Sequence, residues 1–444
     1  MKTFYGGIHP HEYKELTEDK AIETLPLPDT VFIALDQHFG RPAKAHVKAG
    51  DTVSEGDLIA EADGFISAPI HSPVTGKIKK IGKHPHVLGI MQETIIIDRD
   101  KEAAPRKWPR NECQLSDIDK ESFISILKDK GVVGLGGAGF PTYVKFMTKE
   151  TQKLEALVIN ACECEPYITV DYRAMLEETN LFMEGLRIIQ KATGVPRIII
   201  GIEDNKPDAI KLMEKESKKL KGVSVEALKT KYPQGGEKML IKAVLNKEVP
   251  KGGLPIDVGA VVVNVNTVIA ITQAVFYDKP ILEKIITVSG KGIPTPKNVK
   301  AKLGTQFSAL LAFCGGAKDA MRRLIVGGPM MGFAQPNDQA AVLKTTTGLL
   351  ALTDEEIGET AIEPCLKCGS CVRYCPMFLI PSDIAKYVEY NRIDLALRAG
   401  LMDCIECGCC GYVCTSHRPL VQLIKLGKIK KRELDNKKKR QQEK

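Results

Sequence analysis

The residues best able to do chemistry are cysteines near the carboxyl terminus. Nine of the 13 cysteines fall between Cys365 and Cys414, whereas thiols that only fill a core would be scattered. Eight of them form two runs with the same spacing, C-x2-C-x2-C-x3-C, and this doubled spacing is the ligand pattern of two 4Fe-4S clusters. The eight expected ligands are Cys365, Cys368, Cys371, Cys375, Cys404, Cys407, Cys410 and Cys414.

Each cluster is expected to take three cysteines from one run and the fourth from the other. Cys414 would complete the cluster of the first run, and Cys375 that of the second, as in two-cluster ferredoxins. Cys409 adjoins Cys410, but using Cys409 as the ligand would break the repeated spacing. Zinc is the alternative metal, but zinc sites pair two C-x2-C halves and have no use for a doubled four-cysteine spacing.

A second candidate site begins at a glycine-rich loop. Residues 134–142 read G-L-G-G-A-G-F-P-T, and Pro141 is well placed to start a helix. Glycines let backbone N–H groups approach a phosphate closely, and a helix N-terminus favours an anion. The spacing is not that of the Rossmann fingerprint, so the loop taken alone is as consistent with a structural role as with phosphate binding.

Three further motifs place polar residues at or after the ends of apolar segments. The strand A-L-V-I-N ends at Asn160 and continues as A-C-E-C-E-P, Y-P-Q-G-G-E-K begins at Tyr232, and V-V-N-V-N-T ends at Thr267. In α/β folds, ligand sites form at such strand ends. In this order the four motifs resemble those of the flavin- and NADH-binding subunit of respiratory complex I, in which they hold FMN and present it to NADH.

That resemblance implies a role for each matching residue. The glycine loop would line the FMN phosphate and Lys145 would neutralise its charge, while Asn160 and Glu163 would contact the flavin. Glu165 would meet the nicotinamide nucleotide, and Phe140 could pack on one of its aromatic rings. The implied site residues are Gly136, Gly137, Gly139, Phe140, Lys145, Asn160, Glu163, Glu165, Tyr232, Gly235, Glu237, Asn264 and Thr267. No general base is assigned, because hydride exchange with a flavin needs no acid–base side chain on the substrate.

The elements that position these residues can be predicted from turn and strand patterns. Within residues 1–100, short apolar runs separated by A-G-D, E-G-D and V-T-G turns predict a small β domain. It resembles the barrel-sandwich fold of lipoyl and biotinyl carrier domains. Those carriers place a lysine at a hairpin tip where this sequence has Gly64, so we expect a structural or docking role for the domain.

The rest of the chain predicts a multidomain α/β protein. In residues 115–283, apolar strands at 156–160, 197–201 and 260–264 alternate with helices, which indicates a sheet covered on both faces. Residues 284–352 suit a β-grasp (SLBB-like) module with two strands, a helix and a return strand. Residues 353–420 predict a largely helical double 4Fe-4S ferredoxin module, and residues 421–444 form a basic tail.

Charge and composition exclude several classes of protein. The net charge is +8, but the last 24 residues carry ten Lys or Arg against three Asp or Glu, so the body of the protein is nearly neutral. A nucleic-acid-binding face is therefore not expected. Neither a signal peptide nor an apolar run of about 18 residues is apparent, which predicts a cytosolic or peripheral protein. The tail could meet an anionic membrane or a partner, but a solvated, disordered end is the expectation.

The whole chain resembles the C subunits of Rnf electron-transport complexes. The shared phrases are G-G-I-H-P at 6–10, L-P-L-P at 25–28, A-P-I-H-S-P at 68–73, G-G-P-M-M-G at 327–332 and H-R-P-L-V-Q at 417–422. The resemblance implies a peripheral subunit on the cytoplasmic face of the cell membrane. Electrons would pass from ferredoxin, through membrane and ferredoxin-type partner subunits, to two 4Fe-4S clusters, FMN and NAD(H), coupled to Na+ or H+ translocation.

Two other functions are compatible with the same motifs. The NADH-dependent cobalamin reductases of bacterial microcompartments share the flavin motif and the paired clusters, although the amino-terminal β domain and the H-R-P-L-V-Q phrase favour the Rnf family. A non-enzymatic iron–sulfur relay would keep the clusters and lack a working flavin site. The retained glycine loop, Lys145 and the acidic turn argue against that relay.

Overall fold

The amino-terminal module is a sandwich of two small antiparallel sheets. The computed structural model describes residues 1–147, 153–358 and 361–442. The strands up to residue 99 are β1 (Ile22–Thr24), β2 (Thr30–Ala34), β3 (Lys44–Ala45), β4 (Thr52–Val53), β5 (Leu58–Glu61), β6 (Ile70–His71), β7 (Gly76–Pro85) and β8 (Met91–Arg99). One sheet has the order β2-β8-β7-β4 and the other β3-β5-β6. Alternate residues such as Val31 and Ile33, paired with Ile97 and Ile95, are fully buried, as expected for strands with one face on a core.

The second module is a parallel sheet with helices on both faces. Its elements are α1 (Lys120–Asp129), α2 (Thr142–Phe146), β9 (Ala156–Ala161), α3 (Val170–Glu177), α4 (Thr179–Thr193), β10 (Ile198–Glu203), α5 (Pro207–Ser217), β11 (Val223–Leu228), α6 (Glu237–Leu245), β12 (Ala260–Asn264) and α7 (Val265–Tyr277). The strand order is β11-β10-β9-β12, all parallel. Along β9, Leu157 and Ile159 pack into one core while Val158 packs into another with α6. This explains the continuous apolar run.

The third module is a mixed sheet larger than the sequence predicts. It contains β13 (Glu283–Ser289), β14 (Lys297–Lys302), α8 (Phe307–Phe313), β15 (Met321–Val326), β16 (Phe333–Gln335) and β17 (Gly348–Thr353). The order is β1-β14-β13-β17-β15-β16. The predicted return strand β15 does not adjoin β13, because the almost wholly buried β17 takes the central place. Strand β1, from the first module's sequence, pairs with β14 in parallel.

The last module is helical around the cysteine runs. Its helices are α9 (Asp354–Ile357), α10 (Ser370–Arg373), α11 (Pro381–Glu389), α12 (Ile393–Arg398), α13 (Cys409–Tyr412) and α14 (Leu420–Gln442). The expectation of a disordered tail is wrong for residues up to 442. Helix α14 is anchored because Ile424 is buried with Ile384 and Val388 of α11, and Lys428 donates a hydrogen bond to the Cys404 carbonyl (2.7 Å).

No helix among the described residues combines the length and the apolar character that crossing a lipid bilayer requires.

Candidate functional site

The glycine loop is held firmly at its base and open at its tip. The N–H of Leu135 donates to Oγ1 of Thr267 (2.9 Å), and the Leu135 carbonyl accepts from Nζ of Lys284 (2.6 Å). The next three residues, Gly136 to Ala138, are exposed, and their N–H groups find no protein partner within the described part of the chain. Such free backbone amides in a glycine-rich loop suit an anion like the FMN phosphate.

Close packing under the loop explains why glycine stands at position 136. A Cβ atom there would lie 2.5 Å from Nδ2 of Asn264, whereas one at Gly137 would meet nothing within 4 Å. Asn264 is itself fixed, because its amide donates to Asp171 (2.7 Å), which also accepts from Asn266 (2.7 Å). The V-N-V-N-T segment therefore packs against the inner side of the loop. The outer side, at Gly136 and Gly137, stays open to a ligand.

Gly139 and Phe140 lie where the loop meets the amino-terminal module. Gly139 is buried in the left-handed region (φ +71°), and a Cβ there would lie 2.7 Å from the Thr345 side chain. The ring of Phe140 is half-buried, 5.9 Å from that of the exposed Phe39. Gly139 thus positions the loop, while the two rings form an apolar edge on which an aromatic base could pack.

Lys145 and Glu237 form one side of the site. The Lys145 ammonium, on α2, lies 2.9 Å from the Val262 carbonyl and 3.2 Å from the Glu237 carboxylate, at the start of α6. Both side chains keep access to solvent. Two of the three ammonium donors are used by these contacts, which leaves one donor for a further ligand.

Asn160 joins two of the sequence motifs. It is the penultimate residue of β9 and the register neighbour of Asn264 on β12, and its Nδ2 donates to the Gly235 carbonyl (2.8 Å). The Gly235 N–H in turn lies 3.3 Å from Sγ of Cys164. The carboxyl ends of the parallel strands thus bring the four motifs together at one edge of the sheet, where α/β folds bind ligands.

The Glu163 carboxylate turns inward instead of facing the glycine loop. It accepts hydrogen bonds from the N–H groups of Asp171 (2.5 Å) and Tyr172 (3.3 Å), at the start of α3. Burial raises the pKa of Glu163 to about 8, against the opposing pull of the nearby Lys14 ammonium. The structure therefore supports a role for Glu163 in holding the acidic turn in place, and its backbone lies at φ +53° to do so.

Glu165 and Tyr232 connect the acidic turn to the cysteine module. Glu165 accepts from the Met330 N–H (3.1 Å), and its other oxygen lies 3.3 Å from the hydroxyl of Tyr232, which also lies 2.6 Å from the Cys407 carbonyl. One hydroxyl proton cannot serve both neighbours. Burial raises the pKa of Glu165 to about 7, so near neutral pH a protonated Glu165 can donate to the hydroxyl while the hydroxyl donates to Cys407.

This raised pKa predicts a pH effect on stability. An acid whose pKa rises on folding favours the folded state at low pH, and this advantage falls as the pH climbs from the unfolded value towards 7. Ionisation of Glu165 should lower the free energy of unfolding of the wild type by about 1 kcal/mol between pH 6 and pH 8. The variant Glu165→Gln can make both contacts without ionising, so it should not show this decrease. Urea unfolding of both proteins at both pH values measures this. An unchanged pH dependence in the variant would contradict the placement of Glu165.

The two cysteine runs have the same backbone conformation at matching positions. The second cysteine of each run lies between two left-handed residues: Lys367 and Gly369 flank Cys368, while Glu406 and Gly408 flank Cys407. The third residue after each run, Phe378 or His417, is also left-handed. Each run therefore turns around a common centre in the same way. In this alignment Cys410 matches the expected ligand Cys371, and Cys409 matches Ser370.

The expected ligands of the second cluster surround one apolar cavity. Its wall includes Cys375, Cys404, Cys407 and Cys410, together with side chains such as Leu379 and Ile424. Cys375 comes from the first run and the other three from the second, as the ferredoxin pattern requires. Cys409 also borders this cavity, but its sulfur is 3.9 Å from the Tyr232 carbonyl and the residue is fully buried.

The first ligand set lies nearer to solvent. Cys365 and Cys368 are exposed, whereas Cys371 and Cys414 are half-buried against Leu420 and Val421. Two hydrogen bonds hold the end of the second run beside the start of the first: Glu363 N–H to the Ser416 carbonyl (3.0 Å) and the Ser416 hydroxyl to the Pro364 carbonyl (2.9 Å). Cys365 and Cys414 are therefore brought to the same side of the module.

In the residues that the structure describes, no three His, Cys, Asp or Glu side chains converge on a point where a single metal ion could bind. None of the 13 cysteines forms a disulfide.

Several residues that build this site were not predicted from the sequence. Asp171, Asn266 and Lys284 support the glycine loop, and Lys14 supports the acidic turn through hydrogen bonds to three carbonyls. Asn266 lies inside the V-V-N-V-N-T motif, so the sequence does offer a signal for it. The others reach the site only through long-range folding, and nothing in their local sequence distinguishes them from surface residues.

Four protein families match successive parts of the chain. The RnfC barrel sandwich hybrid domain matches residues 2–102, the Nuo51 FMN-binding domain 127–273, the SLBB domain 285–334 and the 4Fe-4S dicluster domain 360–415. These matches confirm the predicted fold class: a barrel-sandwich domain, an α/β flavin domain, a β-grasp module and a ferredoxin module. They also support FMN and iron–sulfur clusters as cofactors.

Curated relatives match almost the whole chain. The C subunit of a proton-translocating ferredoxin:NAD(+) oxidoreductase complex from Clostridium ljungdahlii is 41% identical over 89% of this chain and 88% of its own length. The C subunit of an ion-translocating oxidoreductase complex from Rhodobacter capsulatus is 39% identical over 98% and 84%. The C subunit of a Na(+)-translocating ferredoxin:NAD(+) oxidoreductase complex from Acetobacterium woodii is 37% identical over 96% of both chains. The chain therefore belongs to the family of C subunits of the ion-translocating oxidoreductase (Rnf) complexes.

Proposed function

We propose that this subunit exchanges electrons between NAD(H) and two 4Fe-4S clusters through FMN, within a ferredoxin:NAD+ oxidoreductase that moves Na+ or H+. The observation that carries the proposal is Tyr232. This one side chain lies between Glu165, in the acidic turn of the flavin domain, and the backbone of Cys407, a ligand of the second cluster. FMN, when bound, accepts or donates a hydride as two electrons and passes electrons singly.

The residues of the chain would bind and orient these groups. The free N–H groups at Gly136 and Gly137 and the Lys145 ammonium would bind the FMN phosphate. Asn160 and Gly235 would lie along the flavin. The loop is fixed by Thr267 and Asn264, and the acidic turn by Glu163. Phe140 would pack on an aromatic ring of the nicotinamide nucleotide, which Glu165 would also meet.

The two ligand sets suit different partners. Tyr232 contacts the backbone of Cys407, which would hold the second cluster in the buried cavity, so this cluster would be the neighbour of the flavin site. The first set, with Cys365 and Cys368 exposed, would receive electrons from a ferredoxin-type subunit of the complex. In the direction from ferredoxin to NAD+, electrons would reach the first cluster through partner subunits and finally reduce NAD+.

The names of the relatives describe proton- or Na+-translocating complexes, and ion translocation takes place across a membrane. We place this chain on the cytoplasmic face of the cell membrane, as a peripheral subunit bound to membrane subunits, because NAD(H) is a cytoplasmic substrate. The basic end of α14 would face the anionic surface or a partner there.

Anaerobic purification followed by spectroscopy tests this function. We expect about one FMN and about eight iron atoms per chain, and loss of visible cluster absorbance on adding NADH. Clusters without FMN, unaffected by NADH, would show that the chain is only an iron–sulfur relay. Reduction of a corrinoid by NADH, with no transfer to or from ferredoxin in the complex, would instead support the cobalamin reductase function.

A further inference from the structure

We propose that an N-terminal strap, residues 5–14, fixes the position of the second cluster relative to the flavin site, and that the strap depends on Gly7. The inference rests on the proposed function, because it concerns transfer between those two sites. The strap touches three places in order along its sequence: the first cysteine run, Tyr232, and the acidic turn. None of its residues belongs to the motifs that implied the flavin site.

The first end of the strap is bound to the cysteine module. The Gly7 N–H donates to the Tyr374 carbonyl (2.9 Å), next to the ligand Cys375. The ring of Tyr5 stacks on that of Phe378 at 5.3 Å. Gly6 packs so closely that a Cβ there would lie 3.0 Å from the Cys375 carbonyl oxygen. The backbone of a ligand of the second cluster is thus seated against the strap.

The middle of the strap pairs with Tyr232. The Ile8 N–H donates to the Tyr232 carbonyl (2.8 Å) and the Tyr232 N–H donates back to the Ile8 carbonyl (2.9 Å). The buried Tyr232 side chain then reaches the Cys407 carbonyl, a second ligand of the same cluster. Two ligands of the second cluster, one from each run, are therefore connected to the strap.

The far end of the strap enters the acidic turn. The buried ammonium of Lys14 donates to the carbonyls of Glu163 (2.8 Å), Glu165 (3.1 Å) and Ile168 (2.6 Å). The Tyr167 N–H donates to the Glu12 carbonyl (2.7 Å), and its ring stacks on Tyr13 at 4.5 Å. A turn whose carbonyls converge on one buried cation moves only if that cation moves.

Gly7 is the residue on which this arrangement depends. Its backbone is left-handed (φ +76°), and a Cβ there would lie 2.5 Å from the Tyr232 carbonyl oxygen and 2.8 Å from the Phe4 ring. Any side chain at position 7 would therefore push the strap away from Tyr232. Electron transfer between two centres falls off with the distance between them, so pushing the strap away from Tyr232 should slow transfer from the flavin site to the second cluster.

The test compares Gly7→Ala with Gly50→Ala in the purified, cofactor-loaded subunit. Gly50 is also left-handed (φ +93°) but has nothing within 4 Å, so both variants place alanine in a left-handed conformation and only Gly7→Ala displaces the strap. We expect Gly7→Ala to raise amide hydrogen exchange in residues 160–168 and 232–236. After mixing with NADH, cluster bleaching should slow at least tenfold while FMN reduction stays within twofold. Gly50→Ala should match the wild type.

If Gly7→Ala loses its cofactors, the milder variant Tyr5→Ala tests the same role of the strap. Tyr5→Ala removes an exposed ring and its stacking on Phe378, so folding should be unaffected. We expect faster exchange around residues 374–378 and bleaching slowed about threefold. Unchanged bleaching in Gly7→Ala, or in Tyr5→Ala if the first variant is unusable, would disprove the proposed role of the strap in positioning the second cluster. A wild type whose clusters NADH never bleaches would instead overturn the proposed function.

Discussion

Replacing Cys410 with alanine should remove the second cluster and halve the iron content, from about eight to about four atoms per chain. Cys410 lines the apolar cavity with Cys375, Cys404 and Cys407, and no other thiol stands at the matching place in the repeat. Cys409 also borders this cavity, but its sulfur lies 3.9 Å from the Tyr232 carbonyl, so we expect the cluster to be lost when Cys410 no longer supplies the fourth thiolate. NADH should then reduce FMN and no longer bleach the remaining cluster, because the centre nearest to Tyr232 is gone.

Cys409 provides the matched control. It adjoins Cys410 in sequence and is buried, but it corresponds to Ser370 of the first run. Cys409→Ala should keep the full iron content, with at most a modest loss of thermal stability from the missing sulfur. Iron analysis and electron paramagnetic resonance of the reduced proteins measure both outcomes. Equal iron loss in the two variants, or full retention in Cys410→Ala, would disprove the assignment of Cys410.

Replacing Gly136 with valine should reduce FMN content at least tenfold. The Cβ atom alone would lie 2.5 Å from the Asn264 amide, and Asn264 cannot yield without breaking its hydrogen bond to the buried Asp171. The loop must therefore shift, which moves the free N–H groups that would bind the phosphate. Flavin released by acid from the purified chain, per mole of protein, measures the effect.

Two controls separate this effect from general unfolding. Gly82→Val, on β7 of the first module, introduces the same side chain where nothing lies within 4 Å, so FMN should stay at the wild-type level. Iron content should remain unchanged in Gly136→Val, because the cysteine module does not depend on the loop. Normal FMN content in Gly136→Val would show that the flavin does not bind beside Gly136.

The strands and the 4Fe-4S module could be predicted because their signals are local. The predicted strand at 156–160 became β9, Ala156–Ala161, since a strand buried on both faces needs a continuous apolar run. The repeated cysteine spacing predicts the ligands, and the two runs share left-handed residues at three matching positions. In both cases neighbouring residues in the sequence carry all the information.

The inner part of the flavin site could not be predicted in this way. Nothing near Glu163 in the sequence shows that its carboxylate turns away from the loop to cap α3, or that Thr267 bonds to the loop backbone. These roles depend on partners brought in by the tertiary fold, such as Lys14, which lies 149 residues before Glu163. The resemblance identified the motifs correctly but could not separate residues facing a ligand from residues holding the others in place.

The two cysteine runs share one backbone conformation but lie in different surroundings. Burial and solvent access help to set the reduction potential of an iron–sulfur cluster. The two cysteine runs should therefore hold clusters with different potentials. Cys365 and Cys368 are open to solvent, and whatever admits a donor protein also admits chelators and oxygen. We expect iron loss in air to begin at this exposed half. Bound partner subunits would then protect the protein from oxidative damage as well as supplying its electrons.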